Sequence, residues 1–175
     1  NGETSADYDE IAPIYNRIGV NFFISDYRGY GNSGGSPNYT TMLSDSTKVL
    51  RGLTQLLKDQ GYLSDIYVMG RSMGRHSAFD LAANVDSDLK GLIIESGRPS
   101  LGQFIYGLIA PKMEQFEEAY KSKVRSIKIP VLVIHGEVDT LAPVNDAHDM
   151  FESFQNENKH ILVIRGAGHN NLMHV

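Results

Sequence analysis

Apolar residues in this chain gather into short, nearly continuous runs. Longer stretches lie between them, in which apolar positions recur every three or four residues. The runs are VNFFISD (20–26), DIYVMG (65–70), GLIIES (91–96), PVLVIHG (130–136) and HILVIRG (160–166). Each is rich in β-branched or aromatic residues and lacks in–out alternation, the pattern of parallel strands covered on both faces. The spacing between the runs predicts helices over 41–61, 76–85 and 144–158. In the first, Leu43, Val49, Leu50, Leu53, Leu56 and Leu57 fall largely on one side and Gly61 marks the end. Pro143, just before the third, is a start signal.

Strands alternating with helices imply an α/β fold with a doubly wound, mostly parallel sheet and right-handed crossovers. Ligands in such sheets bind beyond the carboxyl ends of the strands. The residues just after the runs are therefore the places to look for chemistry: Asp26, Ser72, Glu95, Asp139 and His169. The connection 97–129 is longer than the others and reads either as a small lid or as a crossover helix preceded by a long loop. Within it, Phe104, Ile105, Tyr106, Leu108 and Ile109 could line an apolar pocket or simply pack in a core.

At 175 residues the chain suffices for one compact domain, 1–175, and is short for two. Hydrophobic residues at 41% and charged residues at 21%, with no low-complexity tract, provide for a packed core. A net charge of -5 with scattered basic residues argues against a nucleic-acid partner or an anionic membrane surface. The absence of cysteine excludes disulfides, thiolate metal sites and cysteine nucleophiles. It also fits a reducing compartment, so a cytoplasmic location is expected. No apolar stretch approaches the roughly 20 residues of a membrane-spanning helix, and no signal peptide is recognisable. The chain opens at NGETSADYDE without Met, as a fragment lacking upstream strands would.

Candidate chemistry centres on GRSMG (70–74), where a serine lies between two glycines at a strand-to-helix junction. On so sharp a turn the serine backbone is strained and its hydroxyl stands clear of the sheet edge. Gly70 and Gly74 are needed where a side chain would collide as strand and helix pack. The helix N-terminus points free N–H groups toward the same spot, and the Met73 N–H falls where a tetrahedral oxyanion would form. A hydroxyl needs an adjacent base to act as a nucleophile near neutral pH. Of six histidines, His169 in IRGAGHNNL follows the last strand at the edge where ligands bind. His76, His135, His148, His160 and His174 suit structural or solvated roles. The base in turn needs an acid to hold its tautomer. Asp139 in HGEVDTLAPV is favoured, with Glu95 the competitor; Asp146 and Asp149 read as first-turn helix residues and Glu137 as solvated. The order Ser72, Asp139, His169 is that of hydrolases of this architecture.

DYRGYGNSGGSP (26–37), GRSMG (70–74), HGEVD (135–139) and GAGH (166–169) together resemble the α/β-hydrolase superfamily. The resemblance is strongest to its small esterase/lipase-like and serine-aminopeptidase-like serine hydrolases. It implies an α/β-hydrolase fold apparently lacking its N-terminal strands. It also implies a serine hydrolase that cleaves a carboxylic ester or related acyl substrate through an acyl-enzyme, with no cofactor and no metal. Ser72 would attack, His169 shuttle the proton and Asp139 orient His169. Similar proteins carry His-Gly just before a segment like NGETSADYDEIAP, so Met73 and Asn1 would supply the two oxyanion N–H groups. Asp26, Arg28, Gly29 and Gly31 would be scaffold. Arg75 stands where the family usually has a small residue, narrowing the helix start or exposing a charge near the site. A peptidase, thioesterase or amidase could use the same residues, and a non-catalytic binding protein is the alternative from another class. A haloalkane dehalogenase is disfavoured, because that chemistry uses Asp at the position of Ser72.

Overall fold

The computed structural model describes residues 2–62, 65–84, 89–100 and 113–174. The chain forms two compact units, Asn1–Tyr62 and Leu63–Val175.

In the first unit a 3₁₀ turn over Ser5–Tyr8 is followed by the short helix α1 (Ala12–Arg17) and the long helix α2 (Tyr39–Asp59). Asn38 caps α2 by accepting a 2.9 Å hydrogen bond from Thr41 N–H. The helix ends before Gly61, which adopts φ +72°, so the expected stop is present. Leu50 is buried, whereas Val49 and Leu56 are 37% and 50% exposed. Those two lie about 100° round the helix from Leu50 and Leu57, one step beyond the face that packs. The expected apolar stripe is thus narrower than its leucines suggest.

Run 20–26 forms no strand, in contrast to its apolar composition. A strand exists only as one side of a hydrogen-bonded ladder, and no second strand is present among the described residues of this unit. The segment is instead tied by side chains. Asp26 accepts hydrogen bonds from Ser5 N–H at 2.6 Å and Ser5 Oγ at 2.9 Å. Arg28 grips Asp45 of α2 through Nε at 2.6 Å and Nη2 at 2.7 Å. These hydrogen bonds hold the Asp45 carboxyl below the usual carboxylate range.

The second unit is a parallel sheet with intervening helices. Its strands β1 (Ile66–Arg71), β2 (Leu89–Glu95), β3 (Val131–Gly136) and β4 (Lys159–Ile164) lie side by side in chain order. Each coincides with an expected apolar run to within two residues. The helices are α3 (Arg75–Asn84), α4 (Met113–Ser126) and α5 (Val144–Ser153). Helix α3 packs on β1 and β2, and α5 packs on β3 and β4. Phe79 of α3 meets Tyr120 of α4 at 5.8 Å and Phe154 at 6.0 Å between ring centroids, all three being buried. Of segment 97–129, residues 101–112, and with them the expected pocket-lining residues 104–109, lie outside the described residues.

Helix α5 begins directly after Pro143 but stops at Ser153 rather than 158. Phe154 turns extended (φ -74°, ψ 128°) to bury its ring. Beyond it, Asn156 Nδ2 donates to the carbonyls of Ile127 and Ile129 at 3.4 and 3.2 Å. Tertiary burial and side-chain hydrogen bonds together outweigh the weak propensity of the NEN stretch for helix. Asp146 lies in the first turn of α5 as expected, whereas Asp149 falls beyond it.

Candidate active site

The sheet gathers three of the sequence-selected side chains at the carboxyl ends of β1, β3 and β4. Strand β1 ends at Arg71 and the chain turns through a 3₁₀ turn, Ser72–Gly74, directly into α3. Ser72 sits at φ +50°, a region that costs a non-glycine residue about 1–2 kcal/mol. The close approach expected at Gly70 is present: a Cβ there would fall 2.7 Å from both Ala78 Cβ and Arg75 Cα.

Asp139 lies in the turn after β3. Its Oδ1 accepts hydrogen bonds from the N–H groups of Leu141 (2.9 Å) and Ala142 (2.8 Å), leaving Oδ2 for another donor. The same turn is pinned from below by His135, wholly buried, whose Nε2 lies 2.7 Å from the Ala142 carbonyl oxygen. A carbonyl only accepts, so that nitrogen carries the ring proton.

His169 occupies the loop after β4. Its Nδ1 lies 2.7 Å from Asp139 Oδ2, and its Nε2 lies 3.0 Å from Ser72 Oγ. The Asp139 side chain is fully buried and that of His169 is 12% exposed. A carboxylate only accepts, so Nδ1 carries the proton and Nε2 presents its lone pair to the serine hydroxyl. The array is a chain of hydrogen bonds able to take a proton from Ser72 and stabilise the resulting imidazolium.

The loop is held against β3 by a contact only glycine allows. A Cβ on Gly136 would fall 2.6 Å from the Gly168 carbonyl oxygen and nearer still to that of Ala167. Gly136→Ala is expected to displace the loop and destabilise the protein by about 1–3 kcal/mol, the range for overpacking a tight contact, as read by urea unfolding.

Two residues that the sequence reading did not select also reach this loop. Arg71 Nη2 donates to the His169 carbonyl at 3.3 Å and to Asn170 Oδ1 at 2.8 Å, while Ser96 Oγ donates to the same carbonyl at 3.3 Å. Arg71 Nε also pairs with Glu95 Oε1 at 2.9 Å, in register across β1 and β2. Glu95, the alternative acid, is therefore engaged by an arginine, and Asp139 is the carboxylate at the histidine. The signal in the sequence was an Arg and a Glu at the ends of two successive apolar runs. Arg71→Ala leaves Glu95 buried without this partner and is expected to cost about 3 kcal/mol, the lower end for breaking a buried pair, measurable as a lowered denaturation midpoint.

Met73 lies in the 3₁₀ turn beside Ser72, and Asn1 lies outside the described residues. His76 is buried beside Tyr120, with ring centroids 5.3 Å apart, while His148, His160 and His174 are exposed. Glu137 is exposed and accepts from Gly166 N–H at 3.0 Å. Arg75 exposes no charge, since it is only 5% accessible. Among the described residues no group of three or more His, Cys, Asp or Glu could hold a metal ion, and no helix is long and apolar enough to cross a membrane.

A family model described as serine aminopeptidase, S33, matches residues 1–101. Protein bem46 of Schizosaccharomyces pombe is 31% identical over 139 residues, covering 74% of this chain and 45% of its own length. Human alpha/beta hydrolase domain-containing protein 17B is 28% identical over 174 residues, covering 96% and 58%. A Saccharomyces cerevisiae relative described as a membrane protein is 28% identical over 166 residues, covering 90% and 57%. The chain thus spans about half the length of the curated relatives it matches. Among solved structures, a Paleococcus ferrophilus monoacylglycerol lipase superposes with a TM-score of 0.75 at 19% identity, over 97% of this chain and 82% of that one. An esterase from Exiguobacterium antarcticum gives 0.75 at 19% identity over 98% and 83%. At such identity these two neighbours share the fold alone. The family match spans more than half of the chain, which therefore belongs to the serine aminopeptidase S33 family of hydrolases and has the α/β-hydrolase fold.

Proposed function

We propose that the chain carries the catalytic residues of a serine hydrolase that cleaves a carboxylic ester or related acyl substrate through an acyl-enzyme. The observation supporting this most directly is the hydrogen-bonded line from Ser72 Oγ through His169 to Asp139, with spacings of 3.0 and 2.7 Å. In this reading Ser72 Oγ attacks the acyl carbon as its proton passes to His169 Nε2. The buried Asp139 carboxylate stabilises the imidazolium. The Met73 N–H donates to the oxyanion. Collapse expels the alkoxide, which takes the proton from Nε2. Water then attacks the acyl-enzyme with His169 again as base, releasing the acid and restoring Ser72.

The family's description favours a second substrate class, peptides with a free amino terminus. An aminopeptidase needs an acid to pair with the substrate's ammonium. In Leu63–Val175 Asp139 is already engaged by His169 and Glu95 by Arg71. Two solved neighbours that share the fold are themselves described as a lipase and an esterase. A fluorophosphonate probe is expected to label the folded chain at Ser72, located by peptide mass spectrometry, and p-nitrophenyl esters to turn over faster than aminoacyl p-nitroanilides. A folded preparation that takes no label would defeat the hydrolase reading. Faster turnover of the anilides would replace the ester by a peptide.

A further inference from the structure

We infer that Arg75 is a positioning residue that orients and polarises the Ser72–Met73 peptide group, strengthening its N–H as an oxyanion donor. Arg75 opens α3, the end of a helix where a cation opposes the dipole. A long cationic side chain there would ordinarily reach for water or a carboxylate. Instead it is 5% exposed, and among the described residues it pairs with no carboxylate. Its guanidinium donates to three backbone carbonyls: Nη1 to Ser72 at 2.9 Å, Nε to Arg98 at 3.1 Å and Nη2 to Ser100 at 2.6 Å.

The first of these contacts bears on the chemistry. The Ser72 carbonyl and the Met73 N–H belong to one peptide group, which is trans, so they point in opposite directions. Fixing the carbonyl toward Arg75 fixes the N–H away from it. A charged donor on the carbonyl also draws electron density out of the amide, and hydrogen bonds in such chains reinforce one another. The cation is buried, so water screens it little, and its charge acts along the same line on an anion forming at the N–H. The Arg98 and Ser100 carbonyls hold the guanidinium in that place and link the segment after β2 to the turn bearing Ser72.

The effect on turnover rests on the hydrolase reading above. With p-nitrophenyl acetate, Arg75→Met is expected to lower kcat about tenfold, less than the loss of a whole oxyanion donor. KM should stay within about twofold, because the interaction develops in the transition state. The inhibition constant of phenylboronic acid, whose tetrahedral adduct carries an anionic oxygen, should rise by the same factor as kcat falls. A merely structural role would move KM or the melting temperature without that proportionality. Should Arg75→Met not fold, Arg75→Gln retains an N–H for a carbonyl but no charge, and its kcat and boronate affinity should fall together. If the wild-type chain reacts with the fluorophosphonate yet a folded Met or Gln variant keeps wild-type kcat and boronate affinity, the inference is overturned alone. A wild-type chain inert to the probe overturns it together with the hydrolase reading.

Discussion

Ser72→Ala is expected to lower ester turnover about 10⁶-fold, the scale on which removal of an activated nucleophile operates, and to abolish fluorophosphonate labelling. The substitution removes one oxygen and leaves the turn intact. The Ser72 hydroxyl makes its hydrogen bond to His169 at a half-buried position, so the alanine variant should unfold within about 0.5 kcal/mol of the wild type. Glycine at the same place makes a sharper test of how the turn is held. At φ +50° a side chain costs about 1–2 kcal/mol that glycine avoids, against about 0.5–1 kcal/mol for the freer unfolded chain of glycine. Ser72→Gly should therefore be inactive yet more stable by about 0.5–1 kcal/mol, the strain of the turn being released. Two inactive variants that differ in stability this way would place the strain at Ser72. An alanine variant that keeps a thousandth or more of wild-type turnover would remove Ser72 from the role of nucleophile.

The four ladder strands were legible because strands buried in a parallel sheet carry continuous apolar runs, and each such run from 65 onward found a neighbour. Run 20–26 shows the limit of that signal. Its composition reports a tendency to bury, but a ladder also requires a partner, which composition does not reveal. Helix α5 shows a second limit: its apolar spacing continues past Ser153, yet Phe154 and Asn156 are drawn off by the core and by the carbonyls of Ile127 and Ile129. The site was legible to the extent that it depends on position along the chain. Ser72, Asp139 and His169 each follow a strand, and parallel strands bring such positions to one edge. Arg71 and Ser96 were not legible as supports of the His169 loop, because their contacts depend on register between strands and on backbone direction. Arg75 likewise could be seen as a departure, but its carbonyl partners come from two segments separated in sequence.

Asp139→Asn is the variant in which the structure most narrowly constrains the outcome. Asp139 Oδ1 receives two backbone N–H groups, from Leu141 and Ala142. An amide NH₂ placed there would set donor against donor at two contacts, so the oxygen of the new amide must keep that position. Its nitrogen then replaces Oδ2, the atom that lies 2.7 Å from His169 Nδ1. To accept that donor, Nδ1 must give up its proton and the imidazole must take the other tautomer. Nε2 then carries a hydrogen toward Ser72 Oγ instead of a lone pair, and the serine has no base. The two backbone hydrogen bonds survive, so stability should fall by only about 1 kcal/mol, while kcat should drop about 10⁴-fold through the wrong tautomer alone. Asp139→Ala removes the acceptor for both backbone donors as well and should add about 1–3 kcal/mol of destabilisation for those buried groups. Nitrogen-15 shifts of the His169 ring distinguish the tautomers directly. An Asp139→Asn variant with Nδ1 still protonated and turnover near wild type would show that Asp139 does not set the tautomer of the base.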